Sequence, residues 1–268
     1  MAFPKVLILK AAGVNCDAET AFAFESAGAQ TEFVHMNQLV SGEKKLSAYQ
    51  ILCLSGGFTY GDDIAAGKIL ANELKYKLFG DIKDFIHRGQ LIIGICNGFQ
   101  VLVKAGILPG NDTFEQEATL AGNDSGVFED RWVYLKKQKT EDRRQRTEEK
   151  CVWMKGLPEI VYLPVAHGEG KFIPKNEEAL QNLKREGQIV FQYCDREGRL
   201  GGYPTNPNGS VDSIAGICDS TGRVFGLMPH PERHLTSLQH PRWMREGLKK
   251  HGDGFAIFLN AVNFFRNN

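Results

Sequence analysis

The chain has 268 residues, with 32 lysines and arginines against 32 aspartates and glutamates, so its formal net charge is zero. That balance removes the electrostatic case for nucleic acid or an anionic membrane as the main partner, and no apolar run approaches the roughly 18–20 residues of a membrane span. Hydrophobic residues at 42% and charged residues at 24% are the composition of a globular protein with a substantial core.

In chain order, KVLILK at 5–10 reads as a buried strand, and the segment before it lacks the charged head and apolar stretch of a secretory signal. Residues 17–27 read as a helix opening on Asp17 as its cap and closing at Gly28. TEFVHM (31–36) and YQILCLS (49–55) read as strands, and DIAAGKILANELKYKLF (63–79) has helical periodicity through Ile64, Leu70, Leu74 and Leu78. QLIIGI (90–95) is a strand and NGFQVLVKAG (97–106) starts a helix. Strands alternating with helices predict an α/β fold whose parallel sheet is covered on both faces. Beyond residue 111 short β-like runs dominate, such as VFEDRWVYLK and QIVFQYC, and a last helix falls within 253–266, with Phe255, Phe258, Leu259, Val262 and Phe265 on one face. No linker divides the chain, so 1–268 is expected to form a single domain. Its segment 136–150, KKQKTEDRRQRTEEK, has no apolar residue and reads as a solvated polar insertion.

Six cysteines, at 16, 53, 96, 151, 194 and 218, lie far apart with no CxxC pair. They read as reduced thiols of a cytoplasmic protein, with no metal site among them. Cys96 stands apart in LIIGICNGFQVLV, where a buried strand ends in Gly94-Ile95-Cys96-Asn97-Gly98 and passes straight into a helix. That is the logic of a nucleophile elbow. The turn lifts the sulfur above the carboxyl ends of the strands, where open α/β sheets bind ligands. The following helix aims its N-terminal amides at the sulfur and favours thiolate. The Asn97 amide could donate to an oxyanion. The alternative is a buried small hydrophobe, which is how Cys53 and Cys218 read; for Cys96 both readings stay open.

A nucleophile needs a base, and the base an orienter. VFGLMPHPERH (224–234) delivers His230 and Glu232 just past an apolar run. Two residues apart in extended chain, they point the same way. The segment reads equally as a loop that begins a helix, with proline and glutamate in the first turn. LSGGFTYGDD (54–63) ends a strand in Gly56-Gly57, where backbone can come close to a bound group, and the Gly57 amide is a candidate second oxyanion donor. A generic glycine turn is the plainer account of that stretch.

Taken together, GICNGFQ, SGGF and HPE resemble the class I (triad) glutamine amidotransferases, whose mark is a G-x-C-x-G-x-Q elbow, a preceding glycine-rich oxyanion strand and H-P-E near the C-terminus. The stretches GVNCD (13–17), GGFTYGDD (56–63), GNDSGVFEDRWV (122–133), PVAHGEGKF (164–172), YPTNPNGS (203–210) and AGICDSTGRVFGLMPHPERH (215–234) resemble one branch of that family. The branch comprises the glutaminase subunits of phosphoribosylformylglycinamidine synthases. Since the chain begins at its own first strand, it is expected to be a free-standing subunit. The resemblance implies an open, mostly parallel twisted sheet flanked by helices, with added antiparallel β elements. It implies Cys96, His230 and Glu232 as the catalytic triad, with Gly56, Gly57, Phe58, Asn97 and Gln100 as oxyanion and substrate-binding residues. L-Glutamine is the implied substrate. The implied partners are a synthetase chain, which uses ATP and magnesium while this chain carries no cofactor, and as an open addition a small accessory subunit. It further implies that the partner orders the loop around Gly56–Tyr60. Residues 11–13, Ala-Ala-Gly, depart from the branch, which commonly has proline before that glycine, and the run at 136–150 makes the chain longer than a minimal subunit. His167 with Glu169 and Lys171 reads as a lining loop or partner-facing surface, Asn208-Gly209 as a structural turn first with an interface as the alternative, and Arg233 and His234 as a solvated loop by default with an interface as the alternative. A glutaminase of another amidotransferase pathway, a different cysteine hydrolase of the α/β type and a catalytically idle regulatory or binding subunit are the rival accounts.

Overall fold

Val6, Leu7, Ile8 and Leu9 are all buried, so β1 (Lys5–Lys10) has no solvent face and must lie inside a covered sheet. The same holds for β3 (Ile51–Leu54), β4 (Leu91–Ile95) and β11 (Val224–Leu227), each apolar and buried throughout. With β2 (Gln30–His35) they form the parallel half of a nine-stranded sheet in the order β2-β1-β3-β4-β11-β10-β9-β6-β7. The other half, β10 (Ile214–Cys218), β9 (Ile189–Cys194), β6 (Glu129–Lys137) and β7 (Ile160–His167), is antiparallel. A separate pair joins β5 (Ala118–Ala121) to β8 (Lys171–Pro174). The computed structural model describes residues 3–110, 113–138 and 150–266.

The described helices are α1 (Asp17–Ser26), α2 (Met36–Val40), α3 (Lys68–Lys77), α4 (Phe79–His87), α5 (Asn97–Lys104), α6 (Glu177–Arg185), α7 (Trp243–Glu246) and α8 (Phe255–Arg266). Helix α1 packs on α8 through Phe24 and Phe258, edge to face at 5.0 Å. Helix α5 packs against α3, β4 and β3. The sheet is therefore the expected one, mostly parallel on the side that carries Cys96 and flanked by helices.

Local departures have local causes. Asp17 does not cap α1; Cys16 holds the cap position, and the Asp17 carboxylate is drawn into an ion pair with Lys10. The strand predicted to reach Met36 stops at His35, whose Nδ1 accepts from the Asn37 amide at 3.2 Å while Gln38 Oε1 accepts the His35 amide at 3.0 Å. That reciprocal cap starts α2 instead. The helix predicted over 63–79 begins only at Lys68, because the Asp62 carboxylate accepts the Gly67 amide (3.2 Å) and holds the chain in a turn. It then breaks at Leu78 into α4. The polar run predicted as an excursion from 136 begins as strand. Lys136 and Lys137 close β6, and their ammonium groups donate to the carbonyls of Gly198 (3.1 Å) and Leu157 (2.6 Å). Residues 139–149 of that run lie outside the described residues. On α8, Phe258 and Val262 are buried as expected, joined by Ile257 and Ala261, while Phe255, Leu259 and Phe265 are partly buried.

Candidate active site

Four neighbouring strands, β1, β3, β4 and β11, run parallel, so the loops after all four gather at one end of the sheet. Ile95 pairs with Leu227, and the Cys96 amide donates to the Leu227 carbonyl at 2.8 Å. Cys96 and the segment leading to His230 therefore leave the sheet side by side, although 134 positions separate them in sequence (230 − 96).

At Cys96 the backbone takes φ 51° and ψ −108°, a strained turn for a residue with a side chain, costing on the order of 1–3 kcal/mol. The strand stops there and α5 starts at Asn97. The first-turn amides of α5 have no acceptor within the helix and stand at the end where Cys96 sits in the cap position. The thiol is 5% exposed and its sulfur lies 3.6 Å from the Ala166 carbonyl.

His230 is fixed by its own amide, which donates to the Pro164 carbonyl at 2.8 Å. Its Nδ1 meets Glu232 Oε1 at 2.6 Å, with both side chains buried. The contact arises differently from the extended alternation considered above. Residues 231–233 form a single 3₁₀ turn with Pro231 in its first position, so the helix-start reading describes the backbone, and the turn still brings Glu232 under the ring. Burial alone would lower the proton affinity of His230. The Glu232 carboxylate outweighs it, aided by the sulfurs of Cys96 and Cys16, and holds the imidazole well above its ordinary value. Nε2 of the ring and Oε2 of Glu232 are buried with no aligned hydrogen-bond partner.

The glycine loop after β3 completes this end. Gly57 sits at φ 148°, and a β-carbon there would stand 2.9 Å from the Asn15 amide nitrogen. The position therefore excludes a side chain on both counts. The Phe58 amide is committed to the Gly13 carbonyl (2.9 Å), and the Phe58 ring is exposed against Phe128. Asn97 clamps the loop: its Oδ1 accepts the Thr59 amide at 3.1 Å, and its Nδ2 donates to Gln100 (2.8 Å) and Asp62 (3.3 Å). Gln100 is buried, and its Nε2 donates to the Glu169 carbonyl at 2.5 Å. Its amide thus holds the 167–170 loop.

Other expected surfaces turn out to be interior. His167 is buried with Nδ1 3.1 Å from Asn123 Oδ1, and burial followed by the nearby His230 charge lowers its pKa to about 4. It is not a partner-facing residue. His234 is buried on the Tyr162 carbonyl (2.7 Å), so it does not belong to a solvated loop, while Arg233 is partly exposed and held by Glu19. Asn208 is a structural turn residue, fully buried on Tyr193 and Ser210. Sequence reasoning gave no role to Cys16, Asp62 or Lys104, whose partners are distant in the chain and leave no local pattern.

An elbow cysteine at the carboxyl end of a parallel strand, beside a histidine–carboxylate pair and a glycine loop, defines a glutamine amidotransferase. A family model described as the CobB/CobQ-like glutamine amidotransferase domain matches residues 3–265. Among its relatives, the phosphoribosylformylglycinamidine synthase subunit PurQ of Dehalococcoides mccartyi is 49% identical over 98% of both chains, and that of Methanococcus maripaludis 45% identical over 98% of this chain and 97% of the relative. A solved structure titled PurLQS from Thermotoga maritima superposes with a TM-score of 0.73 at 28% identity, covering 98% of this chain and all of the other. The chain belongs to the PurQ family, the glutaminase subunits of phosphoribosylformylglycinamidine synthase.

Proposed function

We propose that Cys96 is the nucleophile, that His230 and Glu232 serve it, and that the chain feeds ammonia to a synthetase partner. The observation that carries this reading is the adjacency of β4 and β11, which sets Cys96 beside the His230–Glu232 pair. His230 accepts the Cys96 proton, and the thiolate attacks the side-chain amide carbon of L-glutamine. The tetrahedral oxyanion is met by the amides of Gly57 and Asn97. His230 then protonates the departing ammonia, and water hydrolyses the γ-glutamyl thioester. Glu232 keeps the ring oriented throughout. Gln100 shapes the glutamine pocket through the Glu169 carbonyl it holds, and Gly56 and Phe58 line the loop side.

The reaction so written uses only this chain's own groups. ATP and magnesium belong to the synthetase partner, which converts formylglycinamide ribonucleotide to formylglycinamidine ribonucleotide in purine biosynthesis. The reading places the protein in the cytoplasm, in keeping with its six free cysteines; no described helix is long and apolar enough to cross a membrane. It accommodates a small accessory subunit.

The test is reconstitution with the synthetase chain. Cys96→Ala should abolish glutamine-dependent synthesis and leave ammonia-dependent synthesis intact. Loss of both, or of neither, would overturn the assignment. A glutamine-like electrophile should label Cys96 ahead of Cys53, whose thiol burial pushes far above its ordinary range.

A further inference from the structure

Cys16 has no part in the chemistry above, yet its sulfur stands in the site. The residue is 2% exposed. Its thiol donates to Asn15 Oδ1 (3.1 Å), and its sulfur accepts from Arg233 Nη2 (3.1 Å), a guanidinium that Glu19 holds at 3.0 Å through Nε. A β-carbon built on Gly56 would lie 3.1 Å from that sulfur and 2.8 Å from Cε1 of His230, so the thiol and the ring crowd one glycine from two sides. A ring nitrogen of His230 lies within 4.8 Å of the Cys16 sulfur, Cys96 leaves the neighbouring strand end, and Nε2, the ring nitrogen not held by Glu232, has no aligned hydrogen-bond partner. Burial keeps the Cys16 thiol protonated, against the pull of His230 and Arg233.

Ligand atoms of Cys16, His230 and Glu232 fall within 4.8 Å of one another, as in a cation site. Two of them are committed elsewhere: the Cys16 sulfur accepts from a cation, and Glu232 is bound to Nδ1. The cluster is better described as one imidazole shared by two thiols. The groups that face the ring are Glu232 on its own turn, Cys96 on the elbow, Cys16 with Arg233 behind it, and His167 at the end of β7.

The placement of Cys16 is mechanically tied to the glycine loop. Asn15 and Cys16 both donate their amides to the Gly56 carbonyl (3.4 and 3.2 Å), Phe58 donates to Gly13 (2.9 Å) and Tyr60 to Ala12 (2.8 Å). A rearrangement of 56–60 must carry the 12–16 backbone with it or break these bonds.

We propose that Cys16 is a positioning residue that competes with Cys96 for Nε2 of His230, and that the conformation of the 56–60 loop decides the competition. The proposal rests on the triad reading above and adds a restraint on it. In the isolated chain the imidazole is divided between two sulfurs, and the nucleophile is held back. When the partner reshapes the glycine loop, Cys16 withdraws and the ring turns wholly to Cys96.

The rate at which iodoacetamide alkylates Cys96, followed peptide by peptide across pH, reads this directly. In the isolated chain Cys16→Ala should speed Cys96 alkylation about tenfold near neutral pH and move the half-maximal rate about one unit to lower pH, the tenfold and the unit being equivalent. Cys16→Ser, closer in volume, should act in the same direction and less. Adding the synthetase with its nucleotide substrate and ATP should speed the wild-type reaction and narrow its gap to Cys16→Ala. An unchanged or slower rate in both Cys16 variants, with a native circular dichroism spectrum, would overturn the proposal. The two levels separate cleanly: if Cys96→Ala still abolishes glutamine use while Cys16 has no effect, the competition fails and the triad stands.

Discussion

Two residues beyond the strained Cys96 backbone lies a second constraint, at Gly98. A β-carbon there would run into the carbonyl oxygen of Leu54, the last residue of β3. The elbow glycine is thus required by contact, since α5 must press its first turn onto β3 for Asn97 to reach Thr59. Gly98→Ala forces α5 and β3 apart, and an overpacked site of this kind costs about 1–3 kcal/mol or more. The expected outcome is a lower urea midpoint and loss of glutamine hydrolysis together, because the Cys96 turn and the Thr59 clamp share that first turn. A variant with unchanged midpoint would show that the helix can shift at no cost.

Helix α5 carries a buried polar edge on an otherwise apolar cylinder. Asn97, Gln100 and Lys104, spaced three and four apart, share one face and are all under a tenth exposed. They tie down the neighbouring loops: Asn97 the 59–62 loop, Gln100 the Glu169 carbonyl, and Lys104 both the Ala66 carbonyl (2.7 Å) and the Glu169 carboxylate (3.3 Å). Burial lowers the Lys104 proton affinity, opposed by Glu169 and Asp62. Lys104→Met removes the cation that two carboxylates share. With Glu169 a third exposed, the cost should be about 1–3 kcal/mol. It should appear chiefly as a rise of about tenfold in KM for glutamine, with kcat less affected and ammonia-dependent synthesis unchanged; the double variant with Glu169→Gln should cost less than the sum. Equal losses in kcat and in the ammonia reaction would mean that the edge only holds the fold. This element also shows how far the sequence was legible. The elbow, the helix after it and the His230–Glu232 pair follow from local pattern, since each is written in consecutive residues. The partners of Lys104 at 66 and 169, and of His230 at Cys16, are fixed only by the crossing of loops, which periodicity does not encode. The same limit misplaced the start of α3, where a single side-chain bond from Asp62 to Gly67 overrode helical periodicity.

At the scale of the whole sheet, alternation of strands and helices predicted the parallel half but not its closure. In strand order β7 lies four places from β11, roughly 19 Å on a flat sheet at about 4.8 Å per strand. Yet His230, just past β11, donates to Pro164 of β7 at 2.8 Å, and the Ala166 carbonyl reaches the Cys96 sulfur. The antiparallel half therefore curls back over the strand ends and buries His167 beside the site. That closure has a measurable consequence for stability. The folded-state pKa of His167 is lowered from 6.5 to about 4, by burial first and by the His230 charge second, with Arg131 adding to the effect and Glu129 opposing it. The unfolded chain then binds a proton that the folded chain refuses, so the contribution of His167 is complete above about pH 6.5 and is lost as pH falls through about 4. At 1.36 kcal/mol per unit the loss approaches about 3 kcal/mol. His230 has the opposite sign: its raised affinity stabilises the fold below its unfolded value and fades as pH rises through its folded one. Between pH 6.5 and 4, His230 stays protonated in the folded state, His234, whose affinity burial also lowers, declines in the same direction as His167, and the share of His167 is the part that a change at that position removes. Urea midpoints of the wild type should fall over that interval, and those of His167→Asn should fall less, so that the two curves converge toward acid. Parallel curves would show that His167 takes up a proton without cost, and that the curl of the sheet leaves the ring open to water.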